Sequence, residues 1–212
     1  EHDNSTFRLS VARSVLDFNN DTFALLESVI QILNDQGIAG ASQYRELSRV
    51  HDFNTDFLDI GYLYDRGSWQ VQAEFMARRS DAYIVTDNDA FYLQGAYRIG
   101  SWTPFLRYSQ ANSLNDRSKV PTLSAGDNAS ELLTLMVDGV NDFGIDLKTL
   151  DERSSWTLGT RWDVADNYAL KLQYDAITKP EGSATLFTNY TDRFRDTRQH
   201  VDVYSVTLDF VF

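Results

Sequence analysis

The chain has 212 residues, a formal net charge of −12, no cysteine, three histidines and 13% aromatic residues. That charge argues against nucleic acid as a partner, since phosphate binding needs a basic face, and the absence of thiols excludes disulfides and Cys-ligated metals. No window approaches the eighteen or so consecutive apolar residues of a membrane-spanning helix, but alternating β-strands have low average hydrophobicity even where one face meets lipid.

The chain opens at Glu1 without Met and without a signal-peptide pattern, as a mature form or a piece of a longer chain would. Its first periodic segment alternates Phe7, Leu9 and Val11 with Arg8, Ser10 and Ala12, which predicts a strand. In the long connection 19–52, Phe23, Leu26, Ile30 and Leu33 recur at helical spacing, with Asn20 or Asp21 as N-cap. The second strand sets Leu58, Ile60, Tyr62 and Tyr64 around Asp59, Gly61 and Leu63, and the third sets Trp69, Val71, Ala73, Phe75 and Ala77 against Gln70, Gln72, Glu74, Met76 and Arg78. In the fourth, Phe91, Leu93, Gly95 and Tyr97 oppose Tyr92, Gln94, Ala96 and Arg98; in the fifth, Trp102, Pro104, Leu106 and Tyr108 oppose Thr103, Phe105, Arg107 and Ser109. The connection 113–153 holds a second helical repeat (Leu132, Leu133, Met136, Val137, Val140), with Asp127 or Asn128 placed to cap it. The sixth strand opposes Trp156, Leu158, Thr160 and Trp162 to Thr157, Gly159, Arg161 and Asp163, and the seventh opposes Tyr168, Leu170, Leu172 and Tyr174 to Ala169, Lys171, Gln173 and Asp175.

Short and long connections alternate. Asp65-Arg-Gly-Ser68, Ile99-Gly-Ser101 and Val164-Ala-Asp-Asn167 read as tight turns, whereas 19–52, 80–89, 113–153 and 179–199 are long. Aromatic residues collect at strand ends. Tyr64, Trp69, Tyr97, Trp102, Trp162, Tyr168 and Phe210 lie near the short turns or the C-terminus; Phe57, Phe75, Tyr108, Trp156, Tyr174 and Tyr204 lie nearer the long connections. Two such girdles suit the two interfaces of a membrane.

The last strand places Tyr204, Val206, Leu208, Phe210 and Phe212 on one face and Ser205, Thr207 and Asp209 on the other. An amphipathic edge strand of a soluble sandwich would also read this way. The segment resembles the closing strand of a Gram-negative outer-membrane β-barrel, in which a terminal Phe with apolar alternates is the signal read by the barrel assembly machinery. That resemblance implies an all-β, antiparallel, up-and-down transmembrane barrel with short helices in long extracellular loops, and a periplasmic C-terminus. Residues 1–212 then form a single barrel unit of eight strands. This is either a complete small barrel or, as the overall look of the hairpins is similar to, the C-terminal half of a porin of about sixteen strands.

By strand parity Arg78, Arg98, Arg107, Arg161 and Lys171 line the inner wall, against Asp59, Glu74, Asp175 and Asp209. Arg107, Arg161 and Lys171 each lie a few residues from a short turn and are expected at similar depth, as a basic strip that biases ion passage. Alternatively, each charge pairs with a neighbouring carboxylate and only props the wall. The loop helices either cap the mouth or fold inward to narrow the pore.

Catalysis is not expected. The histidines are His2, His51 and His200, the latter two beside Asp52 and Asp202, and no Gly-x-Ser-x-Gly element surrounds a serine. Asp138, Asp142 and Asp146 are evenly spaced but match no calcium-loop pattern, so neither metal nor cofactor is expected. The sequence reading is therefore a porin for passive diffusion of small hydrophilic solutes and ions. Its expected partners are outer-membrane lipid, lipopolysaccharide and the assembly machinery, with a homo-oligomer left open. The competing reading is a complete small barrel serving as an anchor, adhesin or surface-recognition module.

Overall fold

The computed structural model describes residues 4–18, 21–184, 187 and 189–211. Eight antiparallel strands form one sheet in chain order: β1 (Ser5–Leu16), β2 (Phe53–Arg66), β3 (Trp69–Ser80), β4 (Asn88–Tyr97), β5 (Trp102–Ser113), β6 (Arg153–Ala165), β7 (Tyr168–Lys179) and β8 (Gln199–Phe210). The sheet is open: β1 and β8 are its two edges, each paired on one side only among the described residues. A closed eight-stranded barrel, one of the two sequence-based alternatives, is therefore not formed.

The tight turns follow from local chemistry. Gly67 and Gly100 have φ of +57° and +59°, the left-handed region that two-residue hairpin turns demand and that glycine enters without steric cost. The β6–β7 hairpin turns at Asp166-Asn167 after a register irregularity between Asp163 and Ala165.

The strands are progressively offset. Ser5, Tyr64, Val71, Gly95, Leu106, Leu158, Tyr174 and Tyr204 stand on one line of directly opposed residues. β1 begins on that line, whereas β8 runs on to Phe210, six residues past it. At the other end β1 stops eleven residues from the line, at Leu16, and β8 starts only five away, at Gln199, again a difference of six. Six residues of rise at ~3.3 Å against seven interstrand steps of ~4.8 Å correspond to a strand tilt of about 30°.

The densest core lies outside the sheet. Helices α1 (Asp21–Asp35), α2 (Ala41–Leu47) and α3 (Glu131–Lys148) bury Ile30, Leu33, Tyr44, Leu47, Val137 and Val140 together with Val120 and Leu123. The two long connections thus meet in a single helical module. The Tyr44 hydroxyl donates to the Pro121 carbonyl at 2.9 Å, and the Asn141 amide closes a two-bond clasp on the Leu123 backbone. Gly144 leaves room for Tyr44, whose hydroxyl a Cβ there would overlap.

Several local expectations change. The cap of α3 is Ser130, whose hydroxyl accepts from the Leu133 amide; Asp127 and Asn128 precede the helix. Asp21 opens α1, and Asn20 lies outside the described residues. α2 and the short α4 (Asp192–Arg195) appear where no periodicity announced them.

Candidate functional site

The register sorts the side chains onto two faces. One carries Leu9, Ile60, Phe75 and Phe91 in a directly opposed row, and next to it Phe7, Tyr62, Ala73, Leu93, Tyr108 and Trp156. Toward the short turns follow Leu106, Leu158, Tyr174 and Tyr204, then Trp102, Trp162, Leu170 and Leu208. The Trp102 and Trp162 rings stack with an interplanar angle of 2°. Among the described residues nothing covers this face: Leu106, on an interior strand, is 49% exposed and Leu158 60%. In a water-soluble sheet such positions would be under another layer.

The apolar face has limits. On β3 it runs from Trp69 to Ala77, which at ~3.3 Å per residue and a tilt near 30° gives a height of about 23 Å. Beyond it, at the long-connection end, charges take over on the same face: Arg13 pairs with Asp56 at 2.6 Å and Arg79 with Asp89 at 2.7 Å. Asp202 accepts from the Tyr174 hydroxyl at 2.8 Å. Phe57 departs from the expected girdle. It stands opposite Ala12 and Arg78, on the polar face, because its odd parity follows Asp59 rather than Leu58.

The terminal-strand alternates Tyr204, Val206, Leu208 and Phe210 all lie on the apolar face of edge strand β8 and are exposed. Phe212 lies outside the described residues.

The register puts eight of the nine expected charges on the opposite face, and Arg98, one residue past the end of β4, turns to Asp65 of that face. Arg8 bonds Asp59 at 2.9 Å and Glu74 at 3.1 Å, and Glu74 also accepts from the Tyr92 hydroxyl at 3.0 Å. Arg98 closes a fork on Asp65, with both bonds at 2.6 Å. Arg161 pairs with Asp163 at 2.7 Å and reaches Asp209 at 3.6 Å. Arg78 is turned to the Thr86 carbonyl. Asp175 accepts from Thr157 and Gln173.

Arg107 and Lys171 differ from these. Arg107 donates twice to the Gln94 amide oxygen and stands over the Tyr92 ring at 5.2 Å; Lys171 stands over the Phe105 ring at 5.4 Å. Register also refines the expected strip. Lys171 is directly opposite Arg161, but Arg107 is opposite Thr157, four residues along β6.

At the long-connection end, His51 bonds Asp17 at 2.6 Å and lies 4.0 Å from Glu27. The Asp17 carboxylate, aided by Glu27, raises the imidazole above its usual pKa. His200 meets the Thr178 hydroxyl at 3.0 Å, and His2 lies outside the described residues. Asp138, Asp142 and Asp146 project from the exposed side of α3; among the described residues no three metal-capable side chains converge. Parity sorts these charges onto one face of the sheet, but nothing in the sequence marks Gln94, Tyr92 and Phe105 as the groups that position two of them.

Comparison with known proteins finds no matching family model, no similar curated protein and no similar solved structure.

Proposed function

We propose that this chain is wall of an outer-membrane β-barrel, with its apolar face on lipid and its polar face on a hydrated lumen through which small hydrophilic solutes and ions diffuse. One observation carries the reading: an uncovered apolar face about 23 Å tall, close to the ~25 Å band of such barrels, crosses all eight strands and stops at a row of charges. The strand offset supports it, since barrel closure needs tilted strands, typically at ~35–45°. Edge groups of β1 and β8 left bare in hydrocarbon would cost several kcal/mol each. In this reading both edges therefore pair with further strands, in a larger barrel of about sixteen.

The helical module favours a second reading, an anchor displaying a recognition unit, because α1, α2 and α3 form their own core at the long-connection end. Planar-bilayer recording on the full-length refolded protein separates the two. Steady conductance steps support the channel; a folded, inserted and silent protein supports the anchor.

A further inference from the structure

Most wall cations are spent locally. Arg8, Arg98 and Arg161 each sit against a carboxylate, and Arg78 is bonded to backbone at the rim. A paired charge contributes little field beyond its partner. Arg107 and Lys171 are held by groups that orient a cation without cancelling it: an amide oxygen and the negative faces of two aromatic rings.

The backbone is shaped to allow this. Phe105 is 7% exposed and lies across the wall over Gly159, where a Cβ would collide with the ring. The ring becomes a floor under the Lys171 ammonium. Among the described residues Asp175 is the carboxylate on these central strands without a cation, and it is engaged by Thr157 and Gln173. Between β5 and β7, then, two unneutralised cations face one unneutralised carboxylate. Four residues and two strands separate the α-carbons of Arg107 and Lys171, on the order of 16 Å. That is too far for one chelating site, but within two screening lengths of ~8 Å at physiological salt.

We infer that Arg107 and Lys171 are two successive stations of an anion track, which favours small solutes carrying a carboxylate, phosphate or sulfate group. The inference rests on the lumenal assignment of this face and names the solute class it would serve.

The test compares two double variants of the full chain with the same change in net charge. Arg107→Gln with Lys171→Gln removes the track; Arg45→Gln with Lys148→Gln removes two cations from the helical module. In a salt gradient across a planar bilayer, the first should lower the anion-to-cation permeability ratio about two- to fivefold, the effect of two charges ~8 Å from an ion in water. The second should change it by much less. Equal shifts would overturn the track, because only net charge would then matter. Titration of the detergent-refolded protein with inorganic phosphate reads the site without conduction: the Arg107 Nε resonance should move and that of ion-paired Arg98 should not. A silent protein with that selective response loses the channel and keeps the anion site; equal or absent responses overturn the site itself.

Discussion

Arg161 stands directly opposite Lys171 across β6 and β7, yet of the two only Arg161 is ion-paired among the described residues. Like charges directly opposed on a sheet destabilise it by a few tenths of a kcal/mol to about 1. Here Arg161 turns to Asp163 and Asp209 while Lys171 turns to the Phe105 ring. Asp163→Asn with Asp209→Asn should therefore lower stability by roughly 0.5 kcal/mol, a small value because these groups are half exposed and screened. Lys171→Gln in that background should recover most of the loss. Urea unfolding in detergent checks both, and a loss that Lys171→Gln leaves in place would show that the opposed cations do not interact.

Gly144→Ala should loosen the helical module. The added methyl overlaps the Tyr44 hydroxyl and breaks its bond to the Pro121 carbonyl, at a cost of about 1–3 kcal/mol for an overpacked core. Limited proteolysis should then cut within 19–52 or 113–153 while the sheet stays protected. Unchanged cleavage would show that the module repacks without strain.

Gly159→Ala should be felt in the sheet itself. Its Cβ meets the Phe105 ring and the Leu172 backbone carbonyl, and the carbonyl cannot rotate away. A loss of about 1–3 kcal/mol is expected in refolding titrations, together with displacement of Lys171 from the ring. Wild-type stability would mean that the Phe105 floor is dispensable.

His51 links the end of β1 to the start of β2 through Asp17, with Glu27 of α1 nearby. Because its folded pKa is raised, its contribution is fully present below the unfolded value of about 6.5 and disappears as pH rises through the folded value. Asp81 behaves oppositely. Hydrogen bonds from the Asn54 side chain and backbone, with Arg49, hold its carboxyl below the usual range. Its contribution is present above the unfolded pKa, near 3.9, and is lost as pH falls through the folded one. NMR titration should show the His51 midpoint falling toward the usual imidazole value in Asp17→Asn; an unmoved midpoint would remove Asp17 as the cause.

Strand parity was legible because side chains alternate strictly on a pleated backbone, so Leu106 and Arg107 could be sent to opposite faces from their numbers alone. Alternation weakens at strand ends, which is where Phe57 was misplaced. The cap at Ser130 was masked by two other cap-forming residues just upstream, and α2 is too short to display a period. The division of the polar-face charges into paired and unpaired was not legible at all. It depends on reach across strands: Arg8 spans to Glu74 on β3, and Arg161 reaches Asp209 on β8. Lys171 finds an aromatic ring two strands away. Local spacing carries no trace of these choices.

The most direct test of a lipid-facing sheet is Leu106→Arg, at the middle of the apolar face, read by refolding into phospholipid vesicles. An arginine at the bilayer midplane destabilises an outer-membrane barrel by about 2–4 kcal/mol, whereas an exposed surface substitution in water changes stability by about 0.5 kcal/mol or less. The lipid-facing assignment predicts the larger loss, with Gln72→Arg on the opposite face, where no charge stands directly across from it, tolerated. A Leu106→Arg chain as stable as wild type and soluble without detergent would contradict it.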